Sequence, residues 1–309
     1  MHSMLLRNGL LWLAGNQVVK RTITHSRLAR PLARRFVAGE TLDDALKAAE
    51  AINREGASVS LDYLGENVTS AEEARAVAQM YVDMLHAIAS RRLNCNVSVK
   101  LTALGLDIER DLCVANLRAV LGVARDYGNF VRIDMEGSSY TAVTLELFEH
   151  LFCNLGYDNV GIVLQSYLYR TAADLARAVE LRARVRLCKG AYQEPPEIAF
   201  PRKSDVDRNY IVLARVLLRH GNYPGLATHD QRIIEWIKRF VREEAIERSR
   251  YEFQMLYGVR RDLQRRLVAE GYNLRVYVPF GEAWYPYLMR RMAERPANLF
   301  FVLRALRHR

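Results

Sequence analysis

A periodic alternation constrains this chain more than any other feature. Short runs rich in β-branched residues recur at about Ala57–Leu64, Asn96–Leu101, Phe130–Glu136, Val160–Ser166, Arg184–Gly190, Gly225–Asp230, Tyr251–Gly258 and Arg275–Gly281. Helix-like segments separate them, for example Ser70–Ser90, Asp111–Tyr127, Ala142–Leu155, Ala172–Leu181 and Ile233–Arg248. Strands that alternate with helices build parallel βαβ units, because a parallel neighbour can only be reached by a crossover. Eight such units within 309 residues predict a closed (β/α)8 TIM barrel. An open doubly wound sheet would want a GxGxxG after the first strand, and none is present. The period carries no repeat of sequence, which argues against a solenoid. No Pro-, Gly- or Ser-rich linker divides the chain, so we expect one barrel domain over residues 41–309, preceded by a basic helical arm over 1–40. Thr41–Glu50 reads as a capped helix, with Thr41 as N-cap and Asp43 and Asp44 in the first turn, where the helix dipole favours acids.

The charge is distributed unevenly. The formal net charge is +10, and residues 1–39 carry Arg7, Lys20, Arg21, Arg27, Arg30, Arg34 and Arg35 but no acid. The apolar patch Leu10–Ala14 is too short to cross a bilayer and lacks a secretory cleavage pattern. The arm fits a basic segment packed on the domain or a helix lying on an anionic membrane surface, ahead of a mitochondrial presequence. The C-terminal Arg304-Ala-Leu-Arg-His-Arg309 is basic too. Aromatic-interleaved basic runs are missing, so the charge is not read as a nucleic-acid footprint. Cys95, Cys113, Cys153 and Cys188 lie far apart with no metal-type spacing; they are read as reduced thiols in a cytoplasmic compartment, and no metal is expected.

In a barrel, chemistry belongs at the C-terminal ends of the strands. Polar residues gather there: Asp62 and Glu66, then Lys100, Asp134 and Glu136, Gln165, Arg186 and Lys189, Thr228, His229 and Asp230, Gln254, and Tyr277. A lone charge in such a strand is usually half of a buried ion pair. So many on one rim, with both signs present, point to a binding site. Lys100 could be catalytic, substrate-binding, or simply paired with Asp134 on the next strand. His229-Asp230 could serve a metal or a proton shuttle, although a satisfied core histidine is commoner. Lys189-Gly190-Ala191 can cradle phosphate through backbone N–H groups. No nucleophile stands beside a base, a profile that suits a cofactor carrying the redox chemistry.

The segment after the last strand, Trp284-Tyr-Pro-Tyr-Leu-Met-Arg-Arg-Met-Ala-Glu294, suits a helix with Pro286 in its first turn. Tyr287, Arg290, Arg291 and Glu294 then share one face. Two guanidiniums beside a phenol match a small carboxylate in bidentate geometry. Such a polar stripe belongs over the barrel mouth rather than against the barrel wall.

Six motifs in this order carry a resemblance: Val97-Ser-Val-Lys-Leu-Thr-Ala-Leu-Gly105, Arg132-Ile-Asp-Met-Glu136, Val163-Leu-Gln-Ser-Tyr167, Arg186-Leu-Cys-Lys-Gly-Ala-Tyr192, Ala227-Thr-His-Asp230 and Tyr287-Leu-Met-Arg-Arg291. From about Phe36 to Leu306 the chain resembles the short monofunctional bacterial proline dehydrogenases. The resemblance implies a distorted (β/α)8 barrel whose last helix sits over the mouth. It also implies oxidation of L-proline to Δ1-pyrroline-5-carboxylate, with FAD as hydride acceptor and a membrane quinone as electron acceptor. Carried over by position, Arg290, Arg291 and Lys100 would hold the carboxylate. Tyr277, Tyr287 and Asp134, with Leu256 as a wall, would enclose the ring, and Glu66 would close on Arg290 as a gate. Arg186 would lie near flavin N5 and Gln165 near the pyrimidine edge. Lys189, Gly190, Ala191, Tyr192, Thr228, His229 and Glu294 would line the rest of the cofactor. Gln193 stands where many relatives carry tryptophan, so adenine stacking is in question and FMN could serve as well as FAD. Cys188 replaces the usual valine, with little consequence expected, while Tyr277 agrees with the proline rather than the hydroxyproline enzymes. The resemblance further implies peripheral contact with the inner face of the membrane, and functional coupling to a pyrroline-5-carboxylate dehydrogenase that consumes the product. Two readings from other classes compete: a cofactor-free barrel hydrolase or lyase on an anionic substrate, and a basic membrane-surface scaffold.

Overall fold

The computed structural model describes residues 35–65, 68–285, 287 and 288. Eight strands close on themselves in sequence order, each parallel to its neighbours: β1 Ser58–Tyr63, β2 Cys95–Val99, β3 Val131–Ile133, β4 Val160–Gln165, β5 Arg184–Cys188, β6 Gly225–Ala227, β7 Glu252–Leu256 and β8 Leu274–Phe280. The seam is sealed by β1 and β8, paired from Ser58 with Arg275 to Tyr63 with Phe280. This is the expected (β/α)8 barrel. Helix α1 (Leu42–Arg54) precedes β1. The crossovers are α2 (Ala71–Ser90), α3 (Arg110–Asp126), α4 (Ser138–Glu149), α5 (Thr171–Glu180), α6 (Lys203–His220), α7 (Gln231–Glu243) and α8 (Arg261–Ala269).

Capping explains several of the helix starts. Thr41 forms the expected N-cap as half of a capping box with Asp44, and the Ser70 side chain accepts the Glu73 N–H at the start of α2. Asp230 caps α7 by accepting the Arg232 N–H. α4 runs on into a π-helical turn, His150–Asn154, so the single segment expected there is one continuous helix with a widened end.

The strands stop earlier than their sequence pattern suggests, and local bonds explain why. Lys100 begins a turn, its carbonyl accepting the Leu104 N–H at 3.3 Å. Glu136 leaves β3 because its carboxylate accepts from the backbone N–H and hydroxyl of Thr102. Gly190 turns away after β5 at φ +106°, under the Tyr167 ring, where no Cβ fits. Lys100, Asp134, Lys189, Thr228, His229 and Asp230 therefore sit on the loops just beyond the strand ends.

Outward positions are apolar. Val59, Leu61, Val97, Val99, Val131, Ile133, Ile162, Leu164, Val185, Leu187, Phe253, Met255, Val276 and Val278 belong to the buried layer between barrel and helices. The alternate positions are unusually polar for a parallel barrel, whose lumen is commonly filled by branched aliphatics. Ser60, Asp62, Asn96, Ser98, Arg132, Arg186, Glu252 and Gln254 are all buried.

The outer face of the β8–β1 seam is already occupied. α1 packs on the outer face of β8 and β1, the slot that a helix following β8 would otherwise fill. The segment before α1 occupies the same edge, with Ala38 N–H donating to Pro279 O at 2.9 Å and Gly281 N–H to Gly39 O at 3.0 Å. Trp284, Tyr285, Tyr287 and Leu288 are helical and buried, and Trp284 Nε1 donates to Glu40 Oε1 at 3.2 Å. Glu66, Arg290, Arg291 and Glu294 lie outside the described residues, as does the arm before residue 35.

Candidate active site

Arg186 lies at the centre of the lumen. From β5 its NH1 donates to Asp134 Oδ1 at 2.6 Å, its NH2 to Ser98 Oγ at 3.1 Å, and its Nε to Gln254 Oε1. Those partners stand on β2, just beyond β3, and on β7. The guanidinium also lies 5.2 Å from the centre of the Tyr277 ring on β8. One side chain can reach all four only through the barrel axis.

Above it, two carboxylates share a lysine. Lys100 Nζ donates to Asp62 Oδ1 at 2.8 Å and stands 3.9 Å from Asp134 Oδ2. The Lys100–Asp134 pair, one of the three readings of this lysine, is therefore the looser of two, and Asp62 is the closer partner. Asp62 is only 1 % exposed. Burial, resisted by the attraction of Lys100 and reinforced by the negative Asp134, pushes its carboxyl up to about 6. Tyr277 donates its phenol to Asp134 Oδ2 at 2.6 Å, and burial with the neighbouring carboxylates holds that phenol well above its ordinary value. It is a neutral donor across the working range. Leu256, at the end of β7, is the register partner of Tyr277. Tyr287 is buried at the start of the last helix. The structure thus unites Lys100, Asp134, Arg186 and Tyr277 in one bonded cluster and adds Asp62, Ser98 and Gln254 to it.

A second group lies towards the β4–β6 side. Gln165 Nε2 donates to Glu136 O at 3.1 Å and reaches Met135 O at 3.4 Å. Its Oε1 is buried and has no hydrogen-bond partner among the described residues. Such an acceptor costs stability unless a donor meets it. A heteroaromatic ring presenting an N–H would meet it, which fits the pyrimidine edge of a flavin. Lys189 Nζ is held by Asp207 Oδ1 at 2.5 Å and Asp230 Oδ2 at 3.0 Å, so its charge is largely balanced within the protein. His229 Nε2 accepts the Leu256 N–H at 2.9 Å, which leaves the proton of the neutral ring on Nδ1 and ties the β6 loop to the end of β7. Thr228 Oγ1 accepts the Asp230 N–H at 3.1 Å. The loop bearing Gly190, Ala191 and Tyr192 runs beside the β4 loop, joined by Tyr167 N–H to Lys189 O at 3.0 Å and Phe200 N–H to Tyr167 O at 2.8 Å. Glu194 latches it across the rim by accepting the Ser138 N–H at 2.8 Å at the start of α4. The Cys188 thiol is half-buried, Cys95 and Cys113 are buried, and Cys153 is exposed.

Comparison with known proteins decides what kind of barrel this is. The family model described as proline dehydrogenase matches residues 45–304. Proline dehydrogenase 1 of Bacillus subtilis is 43 % identical over 98 % of this chain and 99 % of its own length. The chain belongs to the proline dehydrogenase family. The proline dehydrogenase of Deinococcus radiodurans is 44 % identical, covering 89 % of this chain and 90 % of that protein. The bifunctional protein PutA of Escherichia coli is 29 % identical, but the match spans only 26 % of that longer chain. The match thus spans nearly all of the Bacillus and Deinococcus proteins and about a quarter of PutA. Among solved structures, proline utilization A from Bdellovibrio bacteriovorus, inactivated by N-propargylglycine, superposes with a TM-score of 0.81. That match has 28 % identity and covers 86 % of this chain and 33 % of that one. Membership of a proline dehydrogenase family sets aside the hydrolase and scaffold readings.

Sequence reasoning placed Asp62 and Gln254 on the rim without giving either a role, and it missed Ser98 and Glu252. The available signal was alternation: β7 reads Glu252-Phe-Gln254 and β8 reads Arg275-Val-Tyr277, with polar residues at the first two inward positions of each strand. What it lacked was the pairing across the lumen.

Proposed function

We propose that the chain oxidises L-proline to Δ1-pyrroline-5-carboxylate in the barrel mouth, with a flavin held along the β4–β6 side. When bound, the flavin supplies the hydride acceptor and passes its electrons to a membrane quinone. The observation that carries this reading is the buried, unmet acceptor of Gln165 beside a lumen that holds Arg186, Asp134, Tyr277 and Lys100 in one bonded set.

In this reading Lys100, with Arg290 and Arg291, anchors the substrate carboxylate. That clamp fixes the ring in orientation, an effect worth several kcal/mol of rate. Tyr277, with its hydroxyl committed to Asp134, presents its ring as a fixed wall, joined by Leu256 and Tyr287. The cations around the mouth disfavour a protonated substrate amine, and the neutral amine is the form that can release hydride. Arg186 contributes positive charge where negative charge grows during the reaction. Glu66 acts as the gate and Glu294 as a contact to the cofactor. Gly190, Ala191, Tyr192, Thr228, His229 and Lys189 border the remainder of the cofactor, either FAD or FMN.

No helix among the described residues is long and apolar enough to cross a membrane. Reaction with a quinone then requires a cytoplasmic protein to meet the inner membrane face peripherally, and the basic arm before residue 40 supplies the charge for it. A pyrroline-5-carboxylate dehydrogenase would consume the product.

Purified protein should be yellow and should bleach anaerobically on addition of L-proline; a colourless protein unable to take up flavin ends the proposal. Chromatography of the extracted flavin distinguishes FAD from FMN. Arg290→Met or Arg291→Met should raise the KM for L-proline about thirtyfold or more while flavin stays bound. Ordinary saturation in both variants would refute the clamp.

A further inference from the structure

Of the three side chains bonded to Arg186, Gln254 is the one that contacts Nε. Its own Nε2 donates to Glu252 Oε1 at 2.6 Å. Both ends of the amide are thereby committed, and the commitment is directional. A flipped amide would aim NH2 at a guanidinium and oxygen at a carboxylate, two repulsive contacts. Glu252 is in turn held by Arg275 Nε at 2.8 Å, and Arg275 is tied to Val59 O and Asn96 Oδ1. Gly225 pairs with Arg186 on one side and Glu252 on the other, and it supplies the room: a Cβ there would stand 2.3 Å from Gln254 Nε2. A column of four side chains, Arg275, Glu252, Gln254 and Arg186, therefore climbs the lumen from its closed end to the mouth.

We propose that Gln254, oriented by Glu252 and admitted by Gly225, is a positioning residue that sets the plane of the Arg186 guanidinium. A guanidinium carries five N–H donors, and Gln254, Asp134 and Ser98 engage three of them. With Nε pinned, the fork cannot rotate about its long axis, so the two remaining donors keep a fixed direction. The inference rests on the reading above, in which proline is oxidised at a flavin bound beside Arg186.

Gln254→Leu removes both amide bonds at similar volume, and Gly225→Ala displaces the amide without deleting it. Both are prepared as holoenzyme and compared with wild type. Gln254→Leu should lower the rate of bleaching at saturating L-proline by about ten- to a hundredfold, the effect of misorienting a group near the reacting atoms. The KM should change by less than about threefold, since the carboxylate anchor is untouched. The flavin reduction potential should become more negative as the donors of Arg186 turn away, a readout independent of turnover. Gly225→Ala should show the same signature in weaker form. A wild-type rate and potential in Gln254→Leu would overturn the inference. So would a loss confined to flavin content or melting temperature, with the rate per flavin unchanged, because Gln254 would then serve packing alone. If wild type bleaches and both variants match it, this inference alone fails; a colourless wild type removes the functional reading and this inference together.

Discussion

Two clusters of buried charge share one lumen, and they solve the problem of burial differently. At the closed end, Arg132 donates to the carbonyls of Ile162 and Arg184, and Arg275 is met by Glu252, Asn96 Oδ1 and Val59 O. Phe130 is flanked by the guanidiniums of Arg132 and Arg184 at 4.8 and 4.5 Å. Gly161 has no Cβ because Arg132 and Phe130 fill that space. These charges are mostly spent on backbone and on one another, with Arg132 Nε and Arg184 Nε left buried without a hydrogen-bond partner among the described residues. At the mouth, by contrast, Lys100 is divided between Asp62 and Asp134, Arg186 has donors to spare, and Gln165 Oε1 is unmet. Two buried acids differ as well: burial pushes the Glu252 carboxyl up, but the charge and hydrogen bond of Arg275, with Gln254 and Arg132, together hold it below its ordinary value, whereas burial lifts Asp62. Unmet polar atoms occur at both ends, but those of the mouth lie at the C-terminal ends of the strands, where a barrel binds its ligand.

The largest effect that would break this contrast concerns Arg186. Arg186→Met should reduce turnover with L-proline by about 10²–10³, the cost of losing one preorganised donor, with flavin still bound. Steady-state rates per flavin measure it, and a loss below about tenfold would make the mouth as inert as the floor.

Arg275→Met tests the floor itself. It strands the Glu252 carboxylate, and breaking one side of a buried pair costs about 3–5 kcal/mol, read from chemical unfolding. The KM for L-proline should stay at its wild-type value, because no floor residue meets substrate; a large rise in KM would merge the two clusters into one site.

Asp62 sharpens the comparison through pH. Its carboxyl holds a proton more tightly folded, at about 6, than at its ordinary 3.8. Between those values stability should fall as pH rises, and the loss is complete above about pH 6. Protonation also removes one negative charge from the mouth. A ring carboxylate lacking an amine should accordingly bind roughly tenfold tighter at pH 5.5 than at 7.5. Asp62→Asn should abolish both dependences in titrations of inhibitor affinity and stability, and their persistence would reassign the ionisation.

The smallest expected effect lies outside both clusters. Thr41→Ala removes the cap of α1 and should cost about 1 kcal/mol, a fall of a few degrees in Tm, with unchanged kinetics. A kinetic change here would show that the helix filling the β8–β1 slot governs the mouth as well as the wall.

Much of the molecule was legible in advance because strand and helix periods are local. Eight apolar runs set the strands, Thr41 and Ser70 set two helix starts, and the rim residues lie where strand ends must lie. The six motifs from Val97 to Arg291 carry the resemblance to the family on their own. Strand ends were overrun by two or three residues at Asp134, Lys189 and Thr228, since the bonds that stop them come from Thr102, Tyr167 and Asp230. Those partners sit on other loops or on the next helix start, and a β-branched pattern does not report them.

By itself the sequence determined that this chain closes into a barrel with a polar lumen, because alternation along each strand is a property of consecutive residues. Only the tertiary structure decided which polar residue answers which. Tyr277 and Asp134 meet across 143 positions, and Arg186 and Ser98 across 88. It likewise decided that Lys100 leans on Asp62 instead of the carboxylate the sequence suggested. Closure of the barrel places those groups face to face across its axis, and the geometry of closure is shared among all eight strands and written in none of them.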